Sequence, residues 1–254
     1  MRRFSGIFAI IALVAVWEIV CRAFNVPAYL LPSPGAVAVS VEEFGDNWWG
    51  HIFATLSTVL AGFAFALAIG IPIAVTLARS NIAYRAIYPL LVIKQSIPIV
   101  AMAPIIIVVI GPGFVAKTIV ACIVAIFPII VSTATGLMAT PPEFLELARS
   151  VRQDERRELF RIRFPFAVRY IFSGIRLSVT LSVIGAVVSE FVSAGNGLGY
   201  LVYSSMAFLR TPLAFGALAM LAAIGVSLFY SVGLVQRVFF PWASDAAALD
   251  DEAG

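Results

Sequence analysis

The chain has 254 residues, 61% of them hydrophobic and only 12% charged, with a mean hydropathy of +1.02. Soluble domains are nearer half apolar and about a quarter charged, and a soluble fold of this length has too little interior for so much apolar surface. Composition excludes an ordinary soluble domain and predicts an integral membrane protein, in which the placement of the charges matters more than their net sum of +3.

A helix needs about 20 apolar residues to cross the hydrocarbon core. The first such stretch runs from Gly6 to about Phe24, behind Arg2 and Arg3. It is longer than the apolar region of a signal peptide and lacks a small-residue cleavage site, so it is expected to be an uncleaved anchor. Residues 25–50 carry prolines and glycines that break regular structure, and Trp48 and Trp49 suit a membrane interface. The second span is Ile52 to Thr76, followed by a short polar turn. The third, about Ile87 to Ile110, contains Lys94, Pro98 and Pro104, and Gly111-Pro112-Gly113 turns the chain after it. The fourth is about Val115 to Met138, the fifth about Tyr170 to Val192, and the sixth Leu213 to about Val235. The acidic tail, residues 243–254, is expected to be disordered. The expectation is one all-α transmembrane domain over residues 1–254 with about six spans.

Six spans put both termini on one side. One set of connections holds Arg2, Arg3, Arg79, Arg85, Arg237 and all the arginines between Arg149 and Arg169, whereas the other holds only Arg22, Lys117 and Arg210. The arginine-rich side is therefore expected to be cytoplasmic, with both ends in the cytosol. No internal repeat suggests two inverted halves.

Between spans four and five lies "TPPEFLELARSVRQDERRELFRIRFP", residues 140–165, with five acids and six arginines. Thr140, Pro141 and Glu143 predict a helix start, with Thr140 as N-cap, Pro141 in the first turn and Glu143 completing a capping box. Phe144, Leu147, Ala148 and Val151 then fall on one apolar stripe. A second start is expected at Asp154, with acids early and Arg161 and Arg163 late, complementing the helix dipole. Pro165 is expected to end or kink that helix. A bare connection needs only a few residues. Two capped amphipathic helices of this length therefore point to a cytosolic partner, against the alternative of a solvated loop whose arginines only set topology.

Chemical motifs are missing. Cys21 and Cys122 lie in apolar runs and read as buried free thiols. His51 is the single histidine, and there is no metal-ligand spacing, phosphate loop, nucleophile elbow or dinucleotide fingerprint. No catalytic residue, metal or cofactor is assigned, and no nucleic-acid partner. Any ATP hydrolysis must sit on another subunit. Ionisable groups inside spans usually face protein or water. Lys94, followed by Gln95 and Ser96, and Glu190 are therefore candidates to line a translocation path. For Lys94 the competing reading is snorkelling to the interface, and for Glu190 an interior hydrogen-bonding or gating group. Glu18 is expected to pair with Arg22 four residues on. Serines, threonines and small residues in spans four and five suit close helix packing.

The charged segment resembles the Glu-Ala-Ala loop of the membrane subunits of binding-protein-dependent ABC importers. Glu146-Leu147-Ala148 stands for Glu-Ala-Ala, and Ile162-Arg163-Phe164-Pro165 for Ile-x-Leu-Pro. Arg152 stands where that pattern has glycine, and Arg169 where it has a second proline. "IPIVAMAPIIIVVIGPG", "GIRLSVTLSVIGAVVSEF" and "GLGYLV" are similar to the nitrate, taurine, sulfonate and pyrimidine-precursor branch, so the resemblance covers about residues 30–240. It implies the type I ABC importer permease fold in a bacterial inner membrane. It further implies a homodimer of this subunit, a dimer of cytosolic ATPase subunits and an external substrate-binding protein. In that reading residues 140–169 are the coupling loop, and Phe144, Glu146, Leu147, Ala148, Val151 and Arg152 dock the ATPase. "EFVSAGNGLGY" and "TPLAFGALAMLAAIG" resemble carriers of hydroxymethylpyrimidine-type thiamine precursors or riboflavin-like compounds, but sulfonate, taurine and nitrate carriers share nearly all these motifs. A secondary transporter would show paired broken helices or carboxylates across repeats, and a membrane enzyme a cluster of catalytic side chains. Neither pattern is seen.

Overall fold

A computed structural model of the chain describes residues 2–150, 154–193 and 195–243, as backbone alone at residues 2–7, 81 and 149. Among the described residues the regular structure is helical. The helices are α1 (Arg2–Ala23), α2 (Pro34–Phe44), α3 (Asn47–Arg79), α4 (Asn81–Ser96), α5 (Ile99–Ile110), α6 (Phe114–Met138), α7 (Pro142–Ser150), α8 (Glu155–Glu158), α9 (Phe164–Val192), α10 (Leu198–Ala207) and α11 (Thr211–Phe239). The acidic tail from Ser244 lies outside the described residues.

Helices α3, α6, α11 and the continuous rod from Glu155 to Val192 are long and apolar enough to cross a bilayer, and the bent pair α4–α5 makes a fifth span. At 22 residues α1 has the length of a sixth, and Phe8, Ile10, Leu13 and Val16 are exposed on it.

The centre is a three-helix core of α3, α6 and α9, with α6 and α9 in the most extensive contact. Lipid tails are as apolar as leucine, so helices in a bilayer associate through close packing rather than through exclusion of water. Small residues supply that closeness. A Cβ at Gly174 would stand 2.7 Å from Ser132 Cβ, and one at Gly185 the same distance from Ala121 Cα. Ser182 on α9 donates to the Val59 carbonyl of α3 at 2.8 Å, which ties two core helices together.

Four local features differ from the sequence expectation. Residues 25–50 are not all irregular. Ser33 accepts from the Ala36 N–H at 3.2 Å and Pro34 occupies the first turn, so this stretch holds the capped helix α2. Trp48 is not an interface residue but core: it is buried among α2, α10 and α11 residues, and its indole N–H donates to the Val41 carbonyl at 2.9 Å. Trp49 is exposed.

The third span is not straight. It breaks at Ile97-Pro98 with a bend of 97°. Pro98 offers no N–H and forces the residue before it toward extended backbone, and Ile97 sits at φ −84°, ψ 122°. Proline at 104 is carried within α5.

The charged segment also differs. α7 starts at Pro142, and Thr140 is buried with its hydroxyl donating back to the Leu137 carbonyl at 3.4 Å, so the expected capping box does not form. Pro165 neither ends nor isolates the second helix. Residues Leu159–Arg163 widen into a π-turn, in which the Phe164 N–H reaches the Leu159 carbonyl five residues back. A wider turn makes room for the proline ring and its missing donor. α8 therefore runs on into α9 as one rod.

Candidate functional site

Two polar regions, one at each end of the core, carry the residues predicted on α7 and Glu190. The first is the α7–α8 end. The apolar stripe predicted on α7 divides there. Ala148, 2% exposed, packs inward, and Phe144 meets Phe166 in a tilted contact with ring centroids 5.0 Å apart. Leu147 turns outward at 63% exposure, beside exposed Glu146. Val151 and Arg152 lie outside the described residues. Across the turn, Leu159 is buried against Leu137, Ala167 and Ile171, which anchors the rod to α6. Phe160 is 59% exposed next to exposed Arg156, Arg157 and Arg161. Two side-chain ion pairs cross this region: Arg163 to Glu158 at 2.7 Å, and Arg79 at the end of α3 to Glu155 at 3.1 Å. The result is a braced ledge that leaves Leu147 and Phe160 uncovered among charges.

The second region surrounds Glu190 at the far end of α9. Glu190 is 0% exposed. Its carboxyl oxygens accept from Thr55 Oγ1 at 2.9 and 3.1 Å and from the Gly199 N–H at 2.8 Å. Thr55 in turn accepts from the Leu198 N–H at 2.7 Å. His51 Nδ1 lies 3.0 Å from the Gly197 carbonyl and 3.2 Å from its N–H. Lys117 Nζ donates to the Asn196 carbonyl at 3.0 Å. The segment 195–199 is thus fastened over Glu190 by side chains from α3, α6 and α9. Gly197 must be glycine on two counts: its φ is 121°, and a Cβ there would collide with the Glu190 carboxyl group.

Lys94 reaches from α4 to the Ile123 carbonyl of α6. Gln95 and Ser96 are exposed beside the α4–α5 break, where Ser96 donates back to the Val92 carbonyl at 3.1 Å. No hydrogen bond or ion pair among the described residues joins Lys94, Gln95 or Ser96 to Glu190. The four path candidates therefore form two separate places. Glu18 does pair with Arg22, at 2.5 Å, and also accepts from the Gly35 N–H at 2.9 Å, linking α1 to α2.

Three residues escaped the sequence reading. Lys117 looked like a loop charge but is buried, and His51 had no role. Arg176 sits inside the fifth span and lines a cleft between α9 and α11. Its signal, a charge within an apolar run, is the one that singled out Lys94.

These features define a polytopic, all-α membrane protein. A family model described as "Binding-protein-dependent transport system inner membrane component" matches residues 66–245. The chain is 32% identical to the formylaminopyrimidine transport permease protein ThiX of Halalkalibacterium halodurans, over 91% of this chain and 92% of that protein. It is 35% identical to the riboflavin transport system permease protein RibX of Chloroflexus aurantiacus, over 91% and 87%. A chain of the MetNI methionine ABC transporter, solved in an inward-facing conformation, superposes with a TM-score of 0.68 at 19% identity, over 78% of this chain and 98% of its own. That likeness shows the type I importer permease fold. The chain belongs to the family of binding-protein-dependent transport system inner membrane components. It is a multi-pass membrane permease and not an enzyme, and ATP hydrolysis belongs to a separate subunit.

Proposed function

We propose that this chain, as a homodimer in a bacterial inner membrane with both termini in the cytosol, forms the translocation path of an ABC importer and docks a dimer of ATPase subunits through the α7–α8 ledge. The carrying observation is the ledge itself. An exposed Leu147 and an exposed Phe160 stand on braced backbone, ringed by arginines and acids. Apolar anchors inside a charged rim are what a protein partner buries. Phe144, Glu146 and Ala148 position that surface, and Val151 and Arg152 continue it in sequence.

The solute is a pyrimidine thiamine precursor of hydroxymethylpyrimidine type or a riboflavin-like compound, delivered by an external binding protein. The names of the two relatives above support this reading.

Deleting the whole segment would remove buried Leu159, so a point substitution is the sharper test. Leu147→Asp is expected to abolish copurification of the ATPase and ATP-driven uptake while leaving the thermal unfolding midpoint unchanged. Full ATPase retention would refute the docking surface. Uptake in proteoliposomes, with the binding protein and competing solutes, then decides between the pyrimidine or flavin class and a sulfonate, taurine or nitrate.

A further inference from the structure

A cleft of about 1260 Å³ lies between α9 and α11 and runs from the middle of the span toward the α8 end. Arg169, Arg176 and Arg237 line it, and among the described residues no acidic side chain does. On α9 the polar lining, from Arg169 to Thr180, covers roughly 16 Å of helix at 1.5 Å per residue.

Arg176 is the deepest of the three arginines. Its Nη2 donates to Gln236 Oε1 at 2.6 Å, and its Cζ stands 5.8 Å from the Phe229 ring centroid. Gly233 leaves it room, since a Cβ there would lie 3.2 Å from Nη2. Its Nε is buried and has no hydrogen-bond partner. The three ion pairs among the described residues engage Arg22, Arg79 and Arg163, none of them in the cleft. The two acids within the spans are already committed: Glu18 to Arg22 and Gly35, Glu190 to Thr55 and Gly199.

A charge held within a span is expensive unless something compensates it. Here the cavity has the space, a guanidinium with an unused buried N–H, and two further arginines in its lining. A guanidinium presents its donors as a planar fork that matches carboxylate, sulfonate or phosphate oxygens. Aromatic rings flank it: Phe229 stands beside the guanidinium, and Tyr230, 70% exposed, also lines the cleft.

We propose that the α9–α11 cleft is a binding site for the oxyanion group of a ligand, held at Arg176 and drawn in by Arg169 and Arg237. A phosphodiester headgroup entering sideways from the bilayer and a small soluble oxyanion present the same oxygens to the fork. The site goes beyond the transport reading and stands or falls without it, because it makes no use of the ATPase ledge or of the solute's identity.

The test uses the full-length chain, purified in a neutral detergent and stripped of anionic lipid. One arm adds phosphatidylglycerol or phosphatidylcholine and counts retained lipid by native mass spectrometry. The other titrates inorganic phosphate and methanesulfonate by calorimetry. Saturable binding is expected in at least one arm, weakened roughly tenfold or more by Arg176→Gln, because a charge-assisted forked contact is lost. Arg156→Gln, at an exposed arginine outside the cleft, is expected to bind as the parent does. Binding of phosphatidylglycerol alone assigns the site to lipid, and binding of phosphate or methanesulfonate without lipid assigns it to a soluble ligand. Either supports the site. Absence of saturable binding in both arms overturns it, as does equal loss in Arg176→Gln and Arg156→Gln. Should Arg176→Gln fail to fold, the double variant Arg169→Gln/Arg237→Gln carries the test: weaker binding is expected, and parental affinity overturns the proposal.

Discussion

The two ends of the α9 rod solve opposite problems with similar residues. At the Glu190 end a carboxyl group is enclosed, and its oxygens are occupied by Thr55 and the Gly199 N–H. At the α8 end carboxylates and arginines are spread over the surface, and what lacks a partner is apolar: Leu147 and Phe160. An enclosed polar group with satisfied bonds fixes a backbone conformation, because leaving its partners unmatched in a dry interior is costly. Exposed apolar groups in a charged rim fix nothing inside the chain and await an outside surface. Polarity in an apolar chain therefore has two meanings, and burial separates them.

The largest expected effect breaks the enclosed end. Gly197→Val places a β-branched side chain at φ 121° and against the Glu190 carboxyl group. Both the backbone and the carboxyl would have to move, and a loss of more than about 4 kcal/mol is expected. A thermal melt of the purified variant in detergent measures it, and a midpoint near that of the parent would show that the 195–199 segment is not clamped. Thr55→Val is next. It keeps the shape but removes the donor to Glu190 and the acceptor for the Leu198 N–H. About 2 kcal/mol is expected, since two buried groups lose partners at once. Leu147→Asp, at the open end, should leave stability within about 0.5 kcal/mol of the parent, as surface substitutions do, while ATPase copurification is lost. If Thr55→Val and Leu147→Asp destabilise equally, the distinction between the two ends collapses.

Sequence patterns made most of this fold legible, because an apolar run long enough to span a bilayer allows few structures other than a helix. Five of the six expected spans, counting the bent pair as one, the Glu18–Arg22 pair and the helical character of the charged segment were readable. What escaped depends on contacts distant in sequence. Thr140 has the identity and spacing of an N-cap, yet the Leu137 carbonyl takes its hydroxyl. Trp48 has the composition of an interface residue, yet Val41 and Gly216 enclose it. Pro165 has the look of a terminator, but a π-turn absorbs it, which no local propensity announces. Pro98 stood in plain view, but only the fold showed that the bend there would reach 97°. Arg176 was overlooked because it falls near the start of a predicted span, where arginines commonly mark the interface. Its position in a cleft depends on Gln236 and Gly233, sixty and fifty-seven residues away.

The smallest expected effect concerns the brace between α3 and α8, and it probes whether the open end is held by its ion pairs or by burial. Arg79 and Glu155 meet at 3.1 Å, but their side chains remain 46% and 85% exposed. Water screens such a pair, and ordering two long side chains costs much of what the attraction returns. Leu159, buried against Leu137 and Ala167 a few residues on, is the stronger tie between the rod and α6. Glu155→Gln is therefore expected to leave the melting midpoint within about 2 °C of the parent, and to do so equally at low and high salt. ATPase copurification should also persist, because Leu147 and Phe160 keep their positions. A salt-dependent drop in the midpoint, or loss of the ATPase from Glu155→Gln, would mean that the ledge owes its shape to surface charge rather than to the Leu159 anchor.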